Sequence, residues 1–103
     1  MPSVTLELHG FLADRLAPLG RRHGTRVMID SPLNRVDSVC SLLLRLVEAD
    51  ERYVLLFDRD AQRLPEHVEV VLNDRVLDLQ GGIDAQLKDR DVLSFLPAHA
   101  GGR

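Results

Sequence analysis

The chain has no tryptophan, one tyrosine, one cysteine (Cys40) and one lysine (Lys88). A single thiol forms no intramolecular disulfide and leaves out the paired thiolates of a structural zinc site. Aromatic residues make up 4% of the sequence, so platforms for base stacking are scarce. Positive charge is also short. The formal net charge is -3, which argues against nonspecific nucleic-acid binding, since that draws on counterion release by excess cations. No apolar run reaches the length of a bilayer crossing. The opening MPSVTLELHG has no basic segment ahead of an apolar stretch, so no secretory signal is visible and the cytoplasm is the expected location. With 103 residues and neither repeats nor low-complexity tracts, one domain burying about two-thirds of its unfolded surface is expected.

Catalytic constellations are missing too. His9, His23, His67 and His99 have no partners at metal-ligand spacing. The serines have no nucleophile-elbow context, and no glycine-rich loop stands between a strand and a helix to hold phosphates. The close pairs Asp58 with Asp60 and Asp89 with Asp91 fall in predicted turns, where aspartate commonly bonds the local backbone. Arg21, Arg22 and His23 read as a solvated turn rather than a phosphate site. Cys40, among Val39, Leu42 and Leu43, reads as a buried, inert thiol. The expectation is a protein with no catalytic side chains, no metal and no bound cofactor.

What is present is strand and helix periodicity. Ser3 to His9 alternates Val4, Leu6 and Leu8 with Thr5, Glu7 and His9, the period-two pattern of a strand with one wet face. Gly10 ends it, and Phe11 to Gly24 reads as an irregular connection with Phe11, Leu12, Leu16 and Leu19 tucked under the sheet edge. Thr25 to Asp30 is a second strand, expected to pair antiparallel with the first and to stop at Ser31 and Pro32. Asn34 is the candidate N-cap, with Asp37 in the first turn. From Val36 the apolar residues Val39, Cys40, Leu43, Leu46 and Val47 recur at three- and four-residue steps, giving one amphipathic helix that ends near Asp50. Tyr53 to Phe57 suggests a short helical turn and Asp58 to Arg63 a polar loop. Val68 to Asn73, Val76 to Leu79 and Val92 to Leu96 read as strands, separated by turns at Asn73-Asp74, Gly81-Gly82 and Asp89-Arg90-Asp91. A right-handed crossover would set a strand of the second half parallel to the first. The fold class is α+β, a mixed sheet packed on one main helix.

Beyond Pro97 the chain reads AHAGGR. Gly101 and Gly102 need almost no room, so they can carry backbone into a narrow active site where a side chain would jam. A frayed glycine end is the other reading. The division expected is a domain over 1–97 and a flexible tail over 98–103. The apolar residues of the last strand fall into two pairs, Val92 with Leu96 and Leu93 with Phe95, and one pair is expected to be exposed. Leu93, Phe95 and Pro97 are the candidate partner-binding residues.

HVEVVLNDRVLDL followed by GIDAQLKDRDVLSFLPAHAGG resembles the MoaD/ThiS family of ubiquitin-like sulfur carriers. The shared pattern is a strand, an Asn-centred turn, an LKDGD-type turn, a last strand and a proline-led tail with Gly-Gly. The resemblance implies a ubiquitin-like β-grasp fold and activation by an E1-like adenylating enzyme that consumes ATP. It also implies conversion of the Gly102 carboxylate into a thiocarboxylate, with Gly101 as its slim neighbour, and a synthase subunit that accepts the sulfur in molybdopterin or cysteine biosynthesis. Three positions depart from the pattern. Asp74 and Arg90 stand where glycine is common, and Arg103 follows the diglycine, so the resemblance implies a processing protease that removes it. The alternatives are a non-catalytic interaction module and a protein modifier.

Overall fold

The alternation of the first residues produces β1 (Ser3–Leu8), with Val4, Leu6 and Leu8 buried and the residues between them half-buried. β3 (Arg26–Pro32) runs antiparallel to β1, with Leu6 opposite Ile29 and Leu8 opposite Val27. This strand continues through Ser31 and Pro32 instead of stopping before them, since Ser31 still pairs with Val4 and Pro32 with Ser3. Proline is tolerated at such a strand end. The computed structural model describes residues 1–98; His99 to Arg103, and with them the predicted tail residues Gly101, Gly102 and Arg103, lie outside the described residues.

The stretch read as an irregular connection is ordered. It forms α1 (Gly10–Leu16), a 3-10 turn over Ala17–Leu19 and β2 (Arg21–His23), which forms a hairpin with β3. Leu12, Ala13 and Leu16 are the buried face of α1. β2 is exposed at all three positions, so it had no alternation to betray it.

The main helix, α2 (Val39–Ala49), starts later than the apolar spacing suggested. Its N-cap is Ser38, not Asn34: the Ser38 hydroxyl accepts from Ser41 N at 3.2 Å, and Ser41 Oγ accepts from Ser38 N at 2.8 Å. The reciprocal pair is a capping box, built here with serine at the position where glutamate is usual. Val36 lies outside the helix and is exposed, and Val39, Leu42, Leu43 and Val47 form the buried face. A 3-10 turn over Glu51–Leu55 follows, and an isolated bridge between Asp58 and Arg63 closes the polar loop.

The second half adds β4 (Val68–Leu72), β5 (Arg75–Val76) and β6 (Val92–Pro97). Asn73 and Asp74 both have positive φ, 51° and 73°, as a two-residue turn between β4 and β5 requires. A 3-10 turn over Leu77–Gln80 replaces most of the strand expected over Val76 to Leu79, and another over Gly82–Asp84 follows it. The sheet order is β2-β3-β1-β6-β4-β5, with β6 parallel to β1 and antiparallel to β4. Inward residues of four strands, including Val4, Leu6, Val27, Val70, Leu93 and Phe95, pack with α1 and α2 into one core. The result is a mixed six-stranded sheet with its main helix on one face, an α+β ubiquitin-like β-grasp.

Candidate functional site

β6 delivers the chain to the base of the Gly-Gly segment, and its last residues are held from both sides. On the β1 side, Leu8 pairs with Phe95, and His9 N donates to Phe95 O at 3.0 Å. On the β4 side, Val68 stands opposite Pro97, and Ala98 N donates to His67 O at 2.8 Å. Pro97 leans on Gly10, where a Cβ would lie 2.8 Å from Pro97 Cγ. Gly10 also has φ +60°, so absence of a side chain and left-handed backbone are both demanded at that one position.

Beside this root stands the His67 ring. Its Nε2 donates to Leu55 O at 2.8 Å, which places the proton on Nε2, and its centroid is 6.0 Å from that of Phe11. An open cleft of about 360 Å³ runs past it, lined by Arg15, Leu16, Arg52, Val54, Leu55 and His67. Arg52 is tied to Asp50 through Nε at 3.0 Å and Nη2 at 2.7 Å. Those bonds hold the Asp50 carboxyl at about 2. Arg15 makes no ion pair among the described residues. A second cleft of about 450 Å³ shares Val54 and His67 but carries Glu51, Asp58, Arg59 and Asp60.

The sheet face away from α2 is half-polar. Glu7 is its hub, accepting from His9 Nε2 at 2.9 Å, Arg26 Nη1 at 3.0 Å and Ser94 Oγ at 3.1 Å. Burial pushes the Glu7 carboxyl up, but the hydrogen bonds from His9 and Ser94 and the nearby positive charge outweigh it, so the net displacement is downward. Leu93 and Phe95, offered by the sequence as partner-binding residues, are 0% exposed and belong to the core. The pleat turns them toward the helix and leaves Val92 and Leu96 on the open side, half-buried. Pro97 is half-buried at the tail root. Cys40 is half-buried rather than buried, and burial together with the Asp84 charge pushes its thiol up, away from reactivity.

The profile of the ThiS family matches residues 32–102. The chain belongs to the ThiS family. Members are small ubiquitin-like carrier proteins that are not catalysts themselves. Solved structures give the same architecture for this ThiS-family chain. Small archaeal modifier protein 1 of Haloferax volcanii superposes with a TM-score of 0.71 at 20% identity, over 97% of this chain and 99% of that one. A putative molybdopterin converting factor subunit 1 from Pyrococcus furiosus gives 0.63 at 20%, over 94% and 98%. The chain matched in the BexX/CysO complex of Amycolatopsis orientalis gives 0.60 at 23%, over 96% and 99%. No curated protein sequence matches the chain. The two turn departures from the ThiS-family pattern fall at left-handed backbone, since Asp74 and Arg90 each have φ 73°. Glycine is the residue that adopts this backbone without strain, so both departures cost backbone strain.

Proposed function

We propose that this ThiS-family chain is a sulfur carrier whose Gly102 carboxylate is activated and loaded by a partner. The observation that carries the proposal is that the family match runs through Gly102 and stops short of Arg103, on a fold that holds the chain firmly as far as Ala98. A carboxylate is a poor acyl donor. An E1-like adenylating enzyme would let the Gly102 carboxylate oxygen attack the α-phosphate of ATP, forming an acyl adenylate and expelling pyrophosphate. A hydrosulfide equivalent then adds to the carbonyl and AMP departs, leaving the thiocarboxylate. Transfer of that sulfur to an acceptor bound by a synthase subunit, with water supplying oxygen, regenerates the carboxylate. The long polar loop before His67, with Asp58 to Arg63 at its centre, and the PAHAGG tail favour the molybdopterin or cysteine branch over the thiamine branch.

Arg103 must leave first, because while it is attached the Gly102 carbonyl is an amide with no free carboxylate to adenylate. A processing protease in the native host is therefore part of the proposal. Intact-mass measurement on protein from that host tests it. A population ending at Gly102 is expected, and a population that keeps Arg103 throughout growth would overturn it.

The likeness to proteins named as modifiers favours a second use of the same chemistry, attachment of Gly102 to lysines of targets. Gly-Gly remnants on lysines of native-host proteins would reveal it. Lys88 is exposed but is the chain's one lysine, so chains built on this protein through lysine would have a single linkage.

A further inference from the structure

We propose that the adenylating enzyme docks on the tail root, against Phe11, Arg15, Val54, Leu55 and His67, with an apolar ridge that presents a carboxylate to Arg15. The inference rests on the carrier reading above and adds to it where the enzyme sits and what chemistry it presents.

Reach is the first argument. Ala98 is fixed by His67 O at 2.8 Å, and Gly102 is the fourth residue beyond it. Fully extended, four residues span at most about 14 Å. An interface of ordinary size covers about 800 Å² on each partner, a patch roughly 16 Å in radius. An enzyme that closes around the Gly102 carboxylate therefore brings its surface onto the root of the tail, whatever path the tail takes.

The character of that surface is the second argument. Phe11 and Val54, 40% and 54% exposed, are two of the few large apolar side chains on the surface. Both adjoin His67, Phe11 through the ring contact and Val54 through the shared cleft. Such a patch is costly to leave in water and is the kind of surface a partner covers.

Charge supplies the third argument and fixes the partner's chemistry. Among the described residues, no carboxylate lines the cleft beside Arg15. Arg52 is already paired with Asp50, whereas Arg15 has no ion pair among the described residues. The neighbouring cleft, which shares Val54 and His67, carries Glu51, Asp58 and Asp60 with Arg59. A partner carboxylate is thus attracted on the Arg15 side and repelled on the other, which sets the orientation of docking as well as its place. Arg15 in the last turn of α1 also complements that helix end, so its test reads association with the enzyme and not stability alone.

The test is ATP–pyrophosphate exchange by the adenylating enzyme of the same host, with the chain ending at Gly102 as substrate and its concentration varied. Arg15→Glu and Val54→Glu, both at exposed positions, are expected to raise KM for the protein about tenfold or more with kcat retained. KM of the unaltered chain should rise with salt, and Arg15→Ala should flatten that dependence. Leu79→Ser, at an 84% exposed residue beside β5, serves as the remote control. Melting curves confirm that each variant is folded. If the unaltered chain supports exchange while both glutamate variants keep its KM, or lose kcat alone, the docking inference is overturned and the carrier reading stands. If the unaltered chain supports no exchange, the carrier reading falls and the inference falls with it.

Discussion

Asn73 Nδ2 donates to Asp91 Oδ1 at 2.8 Å, while Asn73 Oδ1 accepts from Val92 N at 2.8 Å. One side chain thereby ties the β4–β5 turn to the turn that launches β6. Asp91 also accepts from Lys88 N through Oδ2 at 2.8 Å, and Asp89 accepts from Ser3 N at 2.9 Å. The two aspartates that stand close together in the sequence are turn-builders, and their work is to set the start of the strand that ends at the tail root. Removing the Asn73 side chain should cost about 2 kcal/mol, for two hydrogen bonds and a left-handed residue that tolerates Asn better than most. A double-mutant cycle on Asn73→Ala and Asp91→Ala, followed by denaturant unfolding, should return a coupling of about 1 kcal/mol. Additive losses would show that the contact does not hold the turns together.

The second expectation concerns acid. Asp37 is almost wholly buried, and Arg45 grips it with Nη1 on Oδ1 at 2.9 Å and Nη2 on Oδ2 at 2.8 Å. The Arg45 hydrogen bonds, helped by Asn34 N and Ser41 Oγ, hold the carboxyl below its ordinary value despite burial. A carboxyl depressed in the folded state stabilises fully above its unfolded value, near 3.9, and loses that contribution as pH falls through the folded one. Asp37→Asn should therefore cost about 2 kcal/mol near neutrality. The gap to the unaltered protein should close below about pH 4, measured by urea unfolding across pH. A gap that stays constant with pH would contradict the assignment.

The third separates core from surface on one strand. Leu93→Ala, at a residue with no exposed area, should cost about 3 to 4 kcal/mol. Leu96→Ala on the half-buried face should cost about 1 kcal/mol or less. Thermal melts distinguish the two, and equal losses would mean that the pleat assignment of β6 is wrong.

Much of this was legible because strands with one wet face announce themselves. β1, β3, β4 and β6 alternate, and the parallel pairing of β1 with β6 follows from the crossover through α2. Short elements without a pattern were not legible. β2 is exposed at every position, and α1 hides its Leu12, Ala13 and Leu16 face behind a glycine start and a proline at residue 18. The onset of α2 was misplaced because Asn34 and Asp37 carry cap-like chemistry but spend it before the helix, with Asn34 N donating to Asp37 Oδ2 at 2.7 Å. At the site, the sequence named the tail and Pro97. Phe11 and Arg15 of α1, Val54 and His67 come from three separate stretches of the sequence, and only the fold gathers them at the root.

Glycine should be preferred at a turn where the chain carries arginine. Arg90 has φ 73° and donates from its backbone N to Ser3 O at 2.7 Å. Arg90→Gly keeps that bond and relieves left-handed strain, partly offset by a looser unfolded chain. A net gain of about 0.5 kcal/mol is expected. Loss of stability on chemical unfolding would show that the arginine side chain makes a compensating contact.

The most direct test of the carrier account is the mass of the chain end itself. The chain ending at Gly102 is incubated with the adenylating enzyme of its host, ATP and a sulfide source, and its terminal peptide is weighed. The account predicts that one carboxylate oxygen of Gly102 is exchanged for sulfur, only when ATP is present, and that the chain with Arg103 attached stays unchanged. An unchanged mass in the chain ending at Gly102, or the same exchange with Arg103 still in place, would contradict it.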